Sequence, residues 1–135
     1  MNHLLHHAEC LVNIGKPVIV FGDFNVIPHA ADCLEPASWM NDALYHPKVR
    51  SKFFEILNLG YNDAIRLKTK RDHIFTQWDY QAGAWQKNNG VRIDHFLVNP
   101  QAADLLLSCG IDKYMRSREK PSDHVPIWIE LANGH

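Results

Sequence analysis

"VIVFGDFNVIP", residues 18–28, sets four apolar residues directly before an acid and an amide. A short, continuous apolar run of this kind suits a strand buried on both faces. Asp23 and Asn25 then stand at its mouth. Residues two apart in extended chain point the same way, so one carboxylate and one amide can face a common pocket. Taken alone, Asp23 is equally a turn or capping acid, as Gly-Asp and Asn clusters usually are. Upstream, Leu4, Leu5, Ala8, Leu11, Val12 and Ile14 recur at helical spacing over residues 2–14, with Gly15 as C-cap and Lys16-Pro17 as the turn into the strand. Helix, tight turn and buried strand in that order predict α/β organisation.

Downstream, Pro, Asn, Asp and Ala accumulate from Gly22 to about Tyr45, which predicts a long loop with a helical turn around "CLEPASWM". Loops of that length in a compact domain are often functional. "PKVRSKFFEILN", residues 47–58, opens with Pro, keeps Val49, Phe53, Phe54, Ile56 and Leu57 on roughly one face, and is closed by Gly60. "YNDAIRL" and a basic turn, "KTKRD", follow. "HIFTQWDY", "VRIDHFLV" and "VPIWIEL" read as strands, separated by a loop ending in Asn-Gly and by a short helix over residues 101–108 that Gly110 ends. No repeat, low-complexity tract or linker interrupts the 135 residues, which read as a single unit.

The composition is that of a globular protein, with 46% hydrophobic and 21% charged residues. A net charge of −1 leaves no overall basic field, so any binding of nucleic acid must rest on local patches. Cys10, Cys33 and Cys109 make neither a CxxC pair nor a closed disulfide framework, which fits a reducing, cytoplasmic setting. No apolar stretch approaches the ~18 residues a membrane helix needs, and "MNHLLHHAECL" has no leader character. No membrane association is expected.

Acids recur beside strand cores. Asp23 and Asn25 follow "VIVF", Asp94 sits inside "VRIDHFLV", and Asp123 and His124 precede "VPIWIEL". Burying a carboxylate without a cation or donors is costly, so repeated acids at strand ends imply a shared partner. Each also has a plainer reading. Asp94 with Arg92 makes a structural ion pair, Asp123 opens a turn, and a lone His124 is a satisfied histidine.

Together and in this order, "GDFN", "NNGVRIDHFLV" and "GIDKYMRSREKPSDHVPIW" resemble the endonuclease/exonuclease/phosphatase superfamily. The match is to the bacterial exonuclease III type of abasic-site DNA repair nuclease, with "HAECLVNIGKPVIV", "LGYNDAIR" and "WDY" adding to it. The resemblance covers about residues 1–131 and corresponds to the C-terminal half of that family's domain. It implies half of a four-layered α/β sandwich, a mixed, largely antiparallel sheet with helices on one face. It also implies Mg²⁺- or Mn²⁺-dependent hydrolysis of phosphodiester bonds in double-stranded DNA, at abasic sites and 3′ ends. In that reading Asp23 activates the attacking water and Asn25 holds the water or the phosphate. His124 serves the phosphate oxygen and is oriented by Asp94, while Asp123, with Asp23 and Asn25, binds the metal. Asp63, Arg66, Trp78, Val91, Arg92 and Ile93 are its candidate DNA-contacting residues, and "KTKR" and "RSREK" its candidate backbone contacts.

Two departures follow from the same resemblance. Gln77 stands where the family usually has an aromatic, and Gln81 where it usually has a basic residue, which weakens the case for lesion probing. Met1 falls where the family has an internal helix, and an Asn-bearing segment, a metal-binding Glu and a phosphate-contacting Tyr have no counterpart here. A half-sandwich exposes the apolar inner face of its sheet, so self-association or a complementing N-terminal half is expected. The competing expectations are a catalytically weak remnant with residual DNA or partner binding, and a phosphatase of the same superfamily.

Overall fold

The computed structural model describes residues 2–133. Helix α1 (Asn2–Leu11) leads into strand β1 (Ile19–Asp23), and a long loop with three 3-10 turns connects to α2 (Pro47–Asn58). After α2 come β2 (Asn62–Asp63), α3 (Ala64–Lys68), an extended irregular stretch, β3 (Asp94–Val98), α4 (Pro100–Leu105), β4 (Leu106–Ile111) and β5 (Ile127–Leu131). The strands form two antiparallel sheets, one ordered β1-β3-β2 and the other β4-β5. Among the described residues no helix is long and apolar enough to cross a membrane.

Local chemistry explains the boundaries. Pro47 opens α2, where its missing N–H goes unneeded, and His46 Nδ1 accepts from Lys48 N–H at 3.1 Å. Asn99 caps α4 by accepting from Ala102 N–H, and the same oxygen accepts from Val18 N–H, both at 2.9 Å. Its amide donates to the Lys16 carbonyl at 2.8 Å, so one buried side chain ties the start of α4 to the entrance of β1.

β1 and β3 run antiparallel with Phe21 opposite Phe96 and Asp23 opposite Asp94. Pleating sends alternate side chains to opposite faces. Val20 and Leu97 turn toward α1 and α2 and join a core of Ala8, Val12, Phe53, Ile56 and Tyr61. Ile19, Phe21 and Asp23 point the other way with Asp94, Phe96 and Val98. At the Val98 end that second face is covered by Ala64, Ala102, Leu106 and Ile129. At the Asp23–Asp94 end it is open, and Phe21 is 67% exposed.

Two expected elements differ. "HIFTQWDY" forms no strand: Gln77 makes only isolated bridges to Val91 and His124, because the segment runs between two others and pairs briefly with each. The helix over residues 101–108 ends at Leu105, and β4 replaces its last turn. Gly110, expected as a helix stop, lies within β4 opposite Trp128, where a Cβ would approach the indole to 2.8 Å. Trp128 therefore selects glycine there by close packing.

Candidate active site

The end of β1 is bent by two residues with positive φ. Gly22 (φ 137°) adopts a conformation that side chains resist, and Asn25 (φ 50°) sits in the left-handed region that Asn tolerates. Asn25 N–H donates to Asp23 Oδ1 at 2.9 Å, an Asx turn that fixes the carboxylate. Phe24 N–H donates to the Ile93 carbonyl at 3.0 Å, which anchors the bend to β3. His124 arrives from the entrance to β5, its N–H donating to Ser122 Oγ at 3.2 Å.

These elements bring three side chains from distant parts of the sequence into line. Asp94 Oδ2 lies 2.9 Å from His124 Nδ1, and Asp23 Oδ2 lies 3.8 Å from His124 Nε2. The imidazole thus stands between two carboxylates, hydrogen-bonded to the more buried one and open on the other side. Asp94 side chain is 13% exposed, against 33% for His124 and 39% for Asp23. An aspartate on Nδ1 fixes the tautomer and leaves Nε2 to work on a substrate.

Burial pulls the His124 pKa down, but the hydrogen bond and charge of Asp94, with the charges of Asp23 and Asp123, outweigh it and raise the value above that of an ordinary histidine. Asp94 is also raised. Burial does this, with a push from Asp23, against the hydrogen bonds of His124 and Thr76. Both directions mean that the pair holds a proton to higher pH than either group would alone.

Asp23, Asp94 and His124 each offer a ligand atom within 4.8 Å of the others. The half-exposed carboxylate of Asp23 offers oxygens that suit a hard divalent cation, while His124, bonded through Nδ1 to Asp94, stands beside it with Nε2 free for a phosphate oxygen. The residues present therefore fit the divalent metal that the resemblance implies. Asp123 is not within that group of three. Its Oδ2 accepts from Gln77 Nε2 at 3.2 Å.

The remaining sequence candidates lie elsewhere. Arg92 is 2% exposed and clamps Asp32 and Asp63, with contacts of 2.7 Å to each. Arg66 reaches Asp32 at 2.7 Å and the Arg71 carbonyl at 2.7 Å. Trp78 and Val91 are each 1% exposed and Ile93 3%, packed in the core beneath the site. Surface contact with DNA does not fit side chains so enclosed: Arg92 and Asp63 are a buried ion pair, and Trp78, Val91 and Ile93 are packing. Sequence reasoning missed Thr76, whose hydroxyl accepts from the N–H groups of Ile93 (3.1 Å) and Asp94 (3.2 Å). It also missed Asp32, fully buried at the centre of the arginine network. Neither carries a local signal, since an "AAD" in a loop looks like a surface turn.

Residues 1–124 match the model of the Endonuclease/Exonuclease/phosphatase family. The chain is 31% identical over 123 residues to exodeoxyribonuclease III of Haemophilus influenzae, covering 86% of this chain and 46% of that protein. Among solved structures, a 3′-5′ exonuclease of Neisseria meningitidis superimposes with a TM-score of 0.90 at 32% identity, over 96% of this chain and 50% of that one. An AP endonuclease of Archaeoglobus fulgidus gives 0.87 at 32% identity, over 96% and 51%. The chain spans about half the length of the relatives it matches.

Proposed function

Because the chain belongs to the endonuclease/exonuclease/phosphatase family, we propose that it takes part in metal-dependent hydrolysis of phosphodiester bonds in double-stranded DNA, at abasic sites and 3′ ends. The observation that carries this reading is the line Asp94–His124–Asp23. Asp23, held by the Asn25 turn, takes the proton of an attacking water, and Asn25 helps to hold that water or the phosphate. His124, kept protonated by Asp94, presents Nε2–H to a phosphoryl oxygen and steadies the charge that builds there. A divalent ion, Mg²⁺ or Mn²⁺, held by Asp23 and its neighbours with Asp123 at the rim, would neutralise phosphoryl charge.

Exposed basic side chains support DNA as the substrate. A groove of about 470 Å³ beside His124 is lined by Arg118, Lys120 and Ser122. Lys68, Lys70 and Arg71 are exposed on the "KTKR" turn. Contacts of this type give salt-dependent, sequence-independent affinity. We propose further that the 135 residues fold as one unit, and that the open face beside Asp23 is covered by a second copy or by a complementing N-terminal half.

The test is cleavage of a duplex carrying one abasic analogue, with Mg²⁺ or EDTA, by wild type, Asp23→Ala and His124→Ala. Nicking that needs metal and falls at least about a hundredfold in both variants is expected, general acid–base groups being worth ~10² to 10⁴ in rate. Metal-insensitive binding of the duplex without nicking would instead identify a binding remnant, and release of phosphate from a small phosphoester in preference to nicking would identify a phosphatase.

A further inference from the structure

The loop that carries Asp123 and His124 is gripped by the segment Thr76–Tyr80. Trp78 N–H donates to the Asp123 carbonyl at 2.8 Å, Val125 N–H to the Thr76 carbonyl at 2.8 Å, and the Tyr80 hydroxyl to the Pro121 carbonyl at 2.9 Å. The gripping segment is itself fixed: the buried Arg116 guanidinium donates to the carbonyls of Trp78 and Asp79 at 3.2 to 3.3 Å. Onto this backbone clamp Gln77 adds a bond between side chains, from Nε2 to Asp123 Oδ2 at 3.2 Å. Both residues are half-buried, so water competes only in part for that bond.

A carboxylate on a surface loop ordinarily samples several rotamers, and ordering it opposes ion binding. An amide donor on one oxygen selects one rotamer in advance and leaves the second oxygen for a cation. Partners of this kind orient the groups that hold a metal. We infer that Gln77 is a positioning residue, which fixes the carboxylate of Asp123, the residue before His124, so that Asp123 adds its charge to the cation held at Asp23. The inference rests on the metal-dependent reading given above. It assigns Gln77 no contact with substrate; its effect passes through Asp123 alone.

Mn²⁺ binding to the full 135-residue chain, followed by calorimetry without DNA, tests this. Gln77→Met and Gln77→Leu remove the donor while keeping most of the volume, and thermal unfolding of each reports whether the fold is kept. Either variant is expected to weaken Mn²⁺ binding about tenfold, the lower end for outer partners of metal ligands. Asp123→Ala should weaken it at least as much, and adding Gln77→Met to Asp123→Ala should change nothing further, the pattern of two groups that act as one. Wild-type affinity in the folded Gln77 variants, or losses that add in full in the double variant, would overturn the inference. Asp23→Ala separates the two failures. If it abolishes Mn²⁺ binding while the Gln77 variants keep it, only the role of Gln77 falls; if it binds Mn²⁺ like wild type, the metal reading falls and this inference with it.

Discussion

At the scale of single residues, the decisive feature is an imidazole held between carboxylates of unequal burial. Asp94, 2.9 Å from Nδ1, is the main support of the imidazolium, with Asp23 farther off at 3.8 Å. Because His124 has a raised pKa, its protonated form contributes stability that is fully present below the ordinary histidine range and is lost as pH rises through the folded value. Asp94→Asn removes the nearest negative charge, so the pKa of His124 should fall back toward or below about 6.5. Titration of the His124 ring by NMR in EDTA reads this directly. An unchanged midpoint in Asp94→Asn would show that Asp94 is not the group holding the proton. The acids of this site were legible in sequence because each sits beside an apolar run where a charge is anomalous. The tilt of Asp123 toward Gln77 was not legible, since it depends on a segment that pairs with two others and has no strand periodicity.

At the scale of elements, β3 and the residues leading into it organise the site from beneath. Arg92 joins Asp32 and Asp63, and its Nη1 also donates to His95 Nδ1 at 3.1 Å, which leaves His95 Nε2–H to donate to the Val26 carbonyl at 3.1 Å. His95 is therefore neutral. Burial and the adjacent Arg92 lower its pKa to about 4. A folded pKa below the unfolded value gives stability that is present above about 6.5 and lost as pH falls toward 4, amounting to about 3 kcal/mol. Burial alone would raise Asp32, yet the charges and hydrogen bonds of Arg92 and Arg66 prevail and hold it below the ordinary carboxylate value, so its contribution is lost at still lower pH. Urea unfolding at pH 7 and pH 4.5 should show the loss in wild type and a flatter profile in His95→Gln. Arg92→Met strands two buried carboxylates and should cost about 3 to 5 kcal/mol at neutral pH; a loss below 1 kcal/mol would mean that the network is solvated. "RIDHF" discloses Arg92 at the entrance to a strand but not its buried partners, because Asp32 comes from a loop and Asp63 from the two-residue β2, positions whose burial only the assembled fold decides.

At the scale of the whole molecule, α1, α2 and the strands β1, β3 and β5 were foreseeable from periodicity, whereas β4 was not, because Leu106 and Leu107 continue the apolar spacing of the helix expected over residues 101–108. What the assembled chain leaves open is the face of β1 and β3 beside Asp23. Phe21 is 67% exposed, with its ring 5.4 Å from that of Phe96, and Trp128 is 40% exposed on β5. Phe21 lies two residues from Asp23 on the same face, so whatever covers the aromatic pair also walls the candidate site. Contiguous apolar surface of this kind drives association when no other element covers it. The 135-residue chain should therefore self-associate at micromolar concentrations in sedimentation velocity. Phe21→Lys, a change on the face of β1 opposite Val20 and its core, should shift it toward monomer with little effect on its melting temperature. A monomeric wild-type chain across that range, with cooperative unfolding, would show that the face is stable in water and that the site is walled by its own residues alone.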